Sequence, residues 1–220
     1  MPHDYDIYIF DLDGTLLDTV ADLAASVNHA LRAFALPERT VDEVRQFVGN
    51  GVRKLVERSL AGGTEHPLYE AVFAVFKEHY LLHGTTLTRP YDGITAMLER
   101  LQARGKAVAV VSNKYDAATK RLCRYYFGDL IDVAIGEREG VKRKPSPDTV
   151  VEVLRHFGKS DDEIRLGRCN AVYVGDTDVD LAVARNSRLP CISVLWGFRS
   201  KDFLVRHGAS LFAATPAEIA

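Results

Sequence analysis

Short apolar runs alternate with longer amphipathic stretches over much of this 220-residue chain. The runs YDIYIF (5–10), KAVAVVS (106–112), DVAIGE (132–137), NAVYVGD (170–176) and PCISVLW (190–196) are rich in β-branched residues and carry almost no internal polar position. That pattern predicts five parallel strands buried on both faces. Between the later runs the period lengthens to that of a helix, from Asp92, Tyr115, Ser146 and Asp178, and several of these stretches close on glycine. Strand and helix in alternation predict an α/β fold with a Rossmann-like parallel-sheet core.

About ninety residues between the first and second runs read as helices without a strand. One helix is predicted to start near Asp18 or Thr19 and a second at Thr40, where Thr40 and Glu43 form a capping-box pair. A third follows the glycine-flanked turn Gly49-Asn50-Gly51, and a fourth covers PLYEAVFAVFKEHYLLHG from Pro67. The expected organisation is a catalytic core of residues 1–15 and 90–220, interrupted after its first strand by a helical cap of residues 16–89.

Composition narrows the partners. A net charge of −2 gives no reason to expect a nucleic acid, and no window of eighteen apolar residues predicts a membrane span. The N-terminus lacks the basic region and cleavage pattern of a signal peptide, so a cytoplasmic location is expected. The cysteines, Cys123, Cys169 and Cys191, are odd in number and far apart, and read as reduced packing residues. Nothing in the sequence specifies an oligomeric state.

The polar residues that follow the apolar runs carry the candidate chemistry. In an open parallel sheet, ligands bind beyond the carboxyl ends of the strands. Asp11 and Asp13 stand at such an end, as do Ser112 and Asn113 after the second run and Asp176 and Asp180 after the fourth, with Lys144 in the basic loop KRKPSPD. Clustered carboxylates repel unless a divalent cation lies among them, and hard oxygen donors favour Mg²⁺. A carboxylate nucleophile, a metal ion and a lysine together suit phosphoryl transfer, because they offset the repulsion between nucleophile and phosphate.

Four segments in order, DLDGT (11–15), VVSN (110–113), KPSPD (144–148) and GDTDVD (175–180), resemble the motifs of the haloacid dehalogenase superfamily of aspartate-nucleophile phosphatases. The resemblance spans the chain. It implies that Asp11 attacks phosphorus and that Asp13 acts first as acid and then as base. It further implies that Mg²⁺ is held by the Asp11 side chain, the Asp13 backbone carbonyl and Asp176. Ser112 and Lys144 would hold the transferring phosphoryl group with help from Asn113, and Asp180 would anchor the lysine or the metal's waters. Thr15 reads first as a turn residue and is placed with Asp180 in support of the site. Trp196 and Phe198 read as packing residues, and His79 and His83 as a surface or cap-packing pair.

Together with KPSPD, the segments from Asp11 to Leu31 and FVGNGVRKL (47–55) resemble the phosphoglycolate phosphatase branch, whose substrate carries a distal carboxylate. A helix N-terminus with adjacent cations is an anion site in principle, so Gly49, Asn50, Gly51, Arg53 and Lys54 are the candidate substrate-binding residues of the cap. The expected partner is a small phosphorylated metabolite. A phosphosugar mutase or a pyrophosphate or nucleotide phosphatase would share the core motifs. A receiver-type phospho-aspartate domain has no use for an insert of some seventy residues.

Overall fold

The computed structural model describes residues 4–220. In chain order the elements are β1 (Ile7–Phe10), β2 (Leu17–Asp18), α1 (Val20–Ala33), α2 (Val41–Phe47), α3 (Val52–Ser59), α4 (Tyr69–His83), β3 (Arg89–Pro90), α5 (Ile94–Ala103) and β4 (Ala107–Tyr115). They continue with α6 (Asp116–Phe127), β5 (Val133–Glu137), α7 (Asp148–His156), α8 (Asp161–Leu166), β6 (Ala171–Gly175), α9 (Asp178–Asn186), β7 (Cys191–Val194), α10 (Lys201–Arg206) and β8 (Leu211–Ala213). The chain divides into two compact units, one of residues 1–16 and 90–220 and one of residues 17–89.

The first unit is built on a six-stranded sheet in the order β5-β4-β1-β6-β7-β8, with every pair parallel. This bears out the expected α/β class, with a sixth strand, β8, that the apolar pattern does not reveal. β1 lies in the middle because all four of its residues are apolar and almost fully buried. Its register pairs Ile7 with Ala107 on one side and with Ala171 on the other. Ile7, Ile9, Ala109, Val111, Ala171 and Tyr173 pack with Val150, Val153 and Leu154 of α7 and with Val183 and Ala184 of α9. The chain adds β4 and β5 on one side of β1 and then crosses to add β6, β7 and β8 on the other. The sheet therefore reverses direction of growth at β1, where ligand crevices form in open α/β sheets.

The second unit is helical. α1 packs on α4, burying Val20, Leu23, Ala24, Val27, Ala30 and Leu31 from α1 and Val72, Phe73 and Phe76 from α4. The Thr40–Glu43 capping box opens α2: the Thr40 hydroxyl accepts from the Glu43 amide and the Glu43 carboxylate accepts from the Thr40 amide. The buried Asp22 carboxylate accepts from the Leu87 amide at 3.0 Å and the Thr88 amide at 2.8 Å, tying the end of the unit back to its first helix. Among the described residues, no helix is long and apolar enough to cross a membrane.

Candidate active site

In the first unit β1 and β6 end beside the last residues of β4, so that the polar residues following β1 and β6 meet those within the end of β4. Asp11 comes directly after β1, and its amide donates to Val174 O, which keeps the residue in line with the sheet. Its Oδ1 accepts from the Leu12 amide at 2.7 Å and lies 2.9 Å from Lys144 Nζ. The next turn needs Gly14, whose φ is +88°. A Cβ there would stand 2.4 Å from Asp176 Oδ2, so only glycine admits the approach of this turn to β6. Thr15 follows, and its hydroxyl donates to Asp176 Oδ1 at 2.9 Å. Thr15 is thus more than a turn residue: it orients a carboxylate of the site.

Asp176 follows β6 and is fully buried. Its second oxygen accepts from the Phe198 amide at 2.8 Å. Asp180 lies one turn into α9, where its Oδ2 accepts from the Thr177 amide at 3.0 Å and the Thr177 hydroxyl at 2.7 Å. The other oxygen faces Lys144 Nζ at 2.9 Å. Lys144 completes its shell by donating to Tyr173 Oη, also at 2.9 Å. A buried ammonium is thereby held between Asp11, Asp180 and a phenol that itself donates to Val111 O.

The electrostatics follow from burial. Asp11 is pushed up to about 7 by loss of solvent, opposed by Lys144 and reinforced by Asp180 and Asp13. Burial likewise holds Asp176 well above the usual carboxylate range, with Asp180 and Asp11 adding to it against the Phe198 and Thr15 bonds. Burial pulls Lys144 down, but Asp11 and Asp180 outweigh it and keep the ammonium well above its ordinary value. Carboxylate oxygens of Asp11, Asp176 and Asp180 lie within 4.8 Å of one another. Asp180 is paired with the Lys144 ammonium, whereas Asp176 accepts from two neutral donors and the Asp11 contact with Lys144 falls on Oδ1, which makes Asp11 and Asp176 the candidate side chains for a cation. Asp11 and Asp180 face Lys144 and Asp13 faces Lys114, with Asp176 beside them; ionised together, these four carboxylates would outnumber the two ammoniums, an excess that a hard divalent ion would match.

From β4 come Ser112, Asn113 and Lys114, all buried. The register of β4 against β5 shifts between Val111 and Tyr115, and such irregularities re-aim side chains near sites. Asn113 Nδ2 donates to Lys144 O at 3.0 Å, while its Oδ1 is buried without a partner. Lys114 Nζ lies 2.9 Å from Asp13 Oδ1.

A family model described as haloacid dehalogenase-like hydrolase matches residues 8–194. The phosphoglycolate phosphatase of Rhodobacter capsulatus is 33% identical over 217 residues, covering 94% of each chain. That of Aquifex aeolicus is 32% identical over 193 residues, 87% of this chain and 85% of its own. Among solved structures, a candidate phosphoglycolate phosphatase from Lactobacillus delbrueckii subsp. bulgaricus superposes with a TM-score of 0.90 at 34% identity, covering 98% of this chain and 96% of its own. The chain belongs to the haloacid dehalogenase-like hydrolase family. The resemblance carried by the four motifs is borne out.

Within this hydrolase, the first unit brings together Asp11, Asp13, Thr15, Ser112, Asn113, Lys144, Asp176 and Asp180. Sequence reasoning passed over Lys114, Tyr173 and the Phe198 amide. Lys114 directly follows VVSN, and the clue was a charged residue continuing an otherwise buried strand. Tyr173 is hidden in an apolar run, and a backbone donor leaves no mark in a sequence. Trp196, read as packing, also donates from Nε1 to Thr15 O at 2.9 Å.

The remaining candidates lie in the helical unit. Gly51 precedes α3 with φ +82°, and Asn50 Oδ1 accepts from Arg58 at 2.8 Å. Arg53 pairs with Glu70 at 2.9 Å and stacks 4.2 Å over the Phe73 ring, and Lys54 pairs with Glu57. His79 stacks on His29 with ring centroids 4.1 Å apart and lies tilted against His83 at 4.4 Å, and its Nδ1 lies 3.0 Å from Ser26 Oγ.

Proposed function

We propose that this hydrolase is a Mg²⁺-dependent phosphatase of small phosphate monoesters, acting through an aspartyl phosphate on Asp11, with a phosphoglycolate-like molecule as substrate. The observation that carries the reading is the buried Asp11–Lys144–Asp180 array, with both carboxylates 2.9 Å from the ammonium and Asp176 beside them. The names of the relatives support the substrate class. Asp11 and Asp176 would hold the metal ion, together with the Asp13 backbone carbonyl. When bound, Mg²⁺ supplies charge neutralisation for the phosphate and for the nucleophile.

Both described contacts of the Asp11 carboxylate fall on Oδ1, so Oδ2 is the attacking oxygen. The Oδ2–phosphorus bond forms as the ester P–O bond breaks, and Asp13 gives its proton to the departing alkoxide. Lys144 and the Ser112 hydroxyl hold the phosphoryl oxygens as charge shifts among them. Asp180 and Tyr173 keep Lys144 from following the substrate. Asp13, now ionised, takes a proton from water as that oxygen attacks phosphorus, releasing inorganic phosphate and restoring Asp11.

The test is phosphate release from p-nitrophenyl phosphate and from phosphoglycolate, with Mg²⁺ or with chelator. Turnover is expected only with the metal ion, and Asp11→Asn is expected to lose nearly all of it. Wild-type turnover by that variant would overturn the nucleophile assignment.

A further inference from the structure

The proposed mechanism gives Lys114 no task, yet few charges in the chain are more fully buried. Lys114 Nζ lies 2.9 Å from Asp13 Oδ1, with side-chain exposures of 4% and 15%. An exposed pair of this kind contributes little. A desolvated pair is different, because separating its members leaves a charge without compensation. The backbone of Lys114 is fixed as well. Its amide donates to Ser112 Oγ at 3.2 Å and its carbonyl accepts from Thr119 Oγ1 at 3.3 Å. Gly136 makes room for it, since a Cβ at that position would stand 2.5 Å from Lys114 O. The ammonium is therefore carried from a fixed backbone to the Asp13 carboxylate.

That carboxylate is the one whose placement the chemistry constrains most. Asp13 lies in the turn beside Gly14 and is not among the three aspartates that converge with one another. To pass a proton to the leaving oxygen it must stand within about 3 Å of it, and a displacement of roughly 1 Å at such a group costs orders of magnitude in rate. We propose that Lys114 is a positioning residue that fixes the Asp13 carboxylate in the orientation from which it serves the leaving oxygen. The inference rests on the phosphatase reading and adds to it the residue that makes Asp13 effective.

The experiment compares wild type, Lys114→Met and Lys114→Arg on phosphoglycolate, glycerol phosphate and p-nitrophenyl phosphate. The first two have poor leaving groups that need a proton and the third does not. Lys114→Met is expected to lower kcat on both alkyl phosphates roughly tenfold or more and on p-nitrophenyl phosphate less than about threefold, with little change in KM. Lys114→Arg is expected to recover most of the loss. In an Asp13→Asn background, Lys114→Met should add almost nothing on the alkyl phosphates, since it acts through the group already removed.

Equal losses on all three substrates would overturn the proposal in favour of a structural role. A loss confined to phosphoglycolate would overturn it in favour of a carboxylate receptor, and full additivity with Asp13→Asn would overturn it outright. Should Lys114→Met fail to fold, Lys114→Gln removes the charge while keeping a polar head and is read in the same way. Absence of wild-type turnover on all three substrates would instead sink the phosphatase reading and the inference with it.

Discussion

Asp11 shows how burial and function are linked at a single residue. Its carboxyl is pushed up to about 7 by loss of solvent, from an ordinary value of 3.8. Between these values the folded protein keeps a proton that the unfolded chain has already released. The stability contributed by this group is therefore present at low pH and is lost as pH rises through that window, by an amount on the order of a few kcal/mol. A cation displaces that proton and removes the penalty. The metal-free protein is thus expected to lose thermal stability between pH 5 and pH 7.5 through this group. Mg²⁺ is expected to raise Tm more at pH 7.5 than at pH 5, and Asp176→Asn to reduce the rise. A Mg²⁺ shift of equal size at both pH values, followed by calorimetry, would count against Asp11 as a ligand. This residue was legible in the sequence because two aspartates at the end of an apolar strand conflict with the local pattern. Lys114 was not, since a lysine after a strand is usually a solvated charge and only the three-dimensional contact with Asp13 distinguishes it.

At the scale of elements, the turn after β1 is what admits Asp176 to the site. Gly14 at φ +88° stands so close to β6 that a Cβ would meet Asp176 Oδ2 at 2.4 Å and the Phe198 ring at 2.7 Å. Gly105, at φ +67°, would meet nothing within 4 Å. Alanine at position 105 is expected to cost about 1 kcal/mol, the backbone term alone, and to leave turnover intact. Alanine at position 14 adds a steric conflict with a site carboxylate and is expected to cost more and to abolish turnover. Similar turnover in the two variants, measured with urea unfolding in parallel, would show that the close approach is dispensable. The apolar runs identified five of the six strands of the parallel sheet because buried strands leave few polar positions. β8, with three residues, and α8 and α10, with six each, are too short for a hydrophobic period to declare itself. The pairing of β2 with β3 was equally illegible. Each has only two residues, and about seventy residues separate them.

Of the two units, one carries the motifs of the proposed phosphoryl transfer and the other is a helical unit that those motifs do not require. A catalytic unit that handles only phosphate cannot tell one monoester from another, so the proposed specificity rests on residues elsewhere. Arg53 and Lys54 at the start of α3 are the candidates. Arg53 is 51% exposed and its partner Glu70 71% exposed. A pair this open is worth at most about 1 kcal/mol, so a substrate carboxylate would take Arg53 from Glu70 at low cost. Energy gained from such a remote contact is realised in the transition state when it helps align the phosphate, and its loss then lowers kcat as well as affinity. The double variant Arg53→Gln/Lys54→Gln is expected to lower kcat/KM for phosphoglycolate at least about tenfold, equivalent to about 1.4 kcal/mol. The change for p-nitrophenyl phosphate, which has no carboxylate to lose, should stay within about threefold. Parallel decreases on the two substrates, with the helical content intact by circular dichroism, would leave Arg53 and Lys54 as surface partners of Glu70 and Glu57 and move the search for the carboxylate receptor elsewhere in the chain.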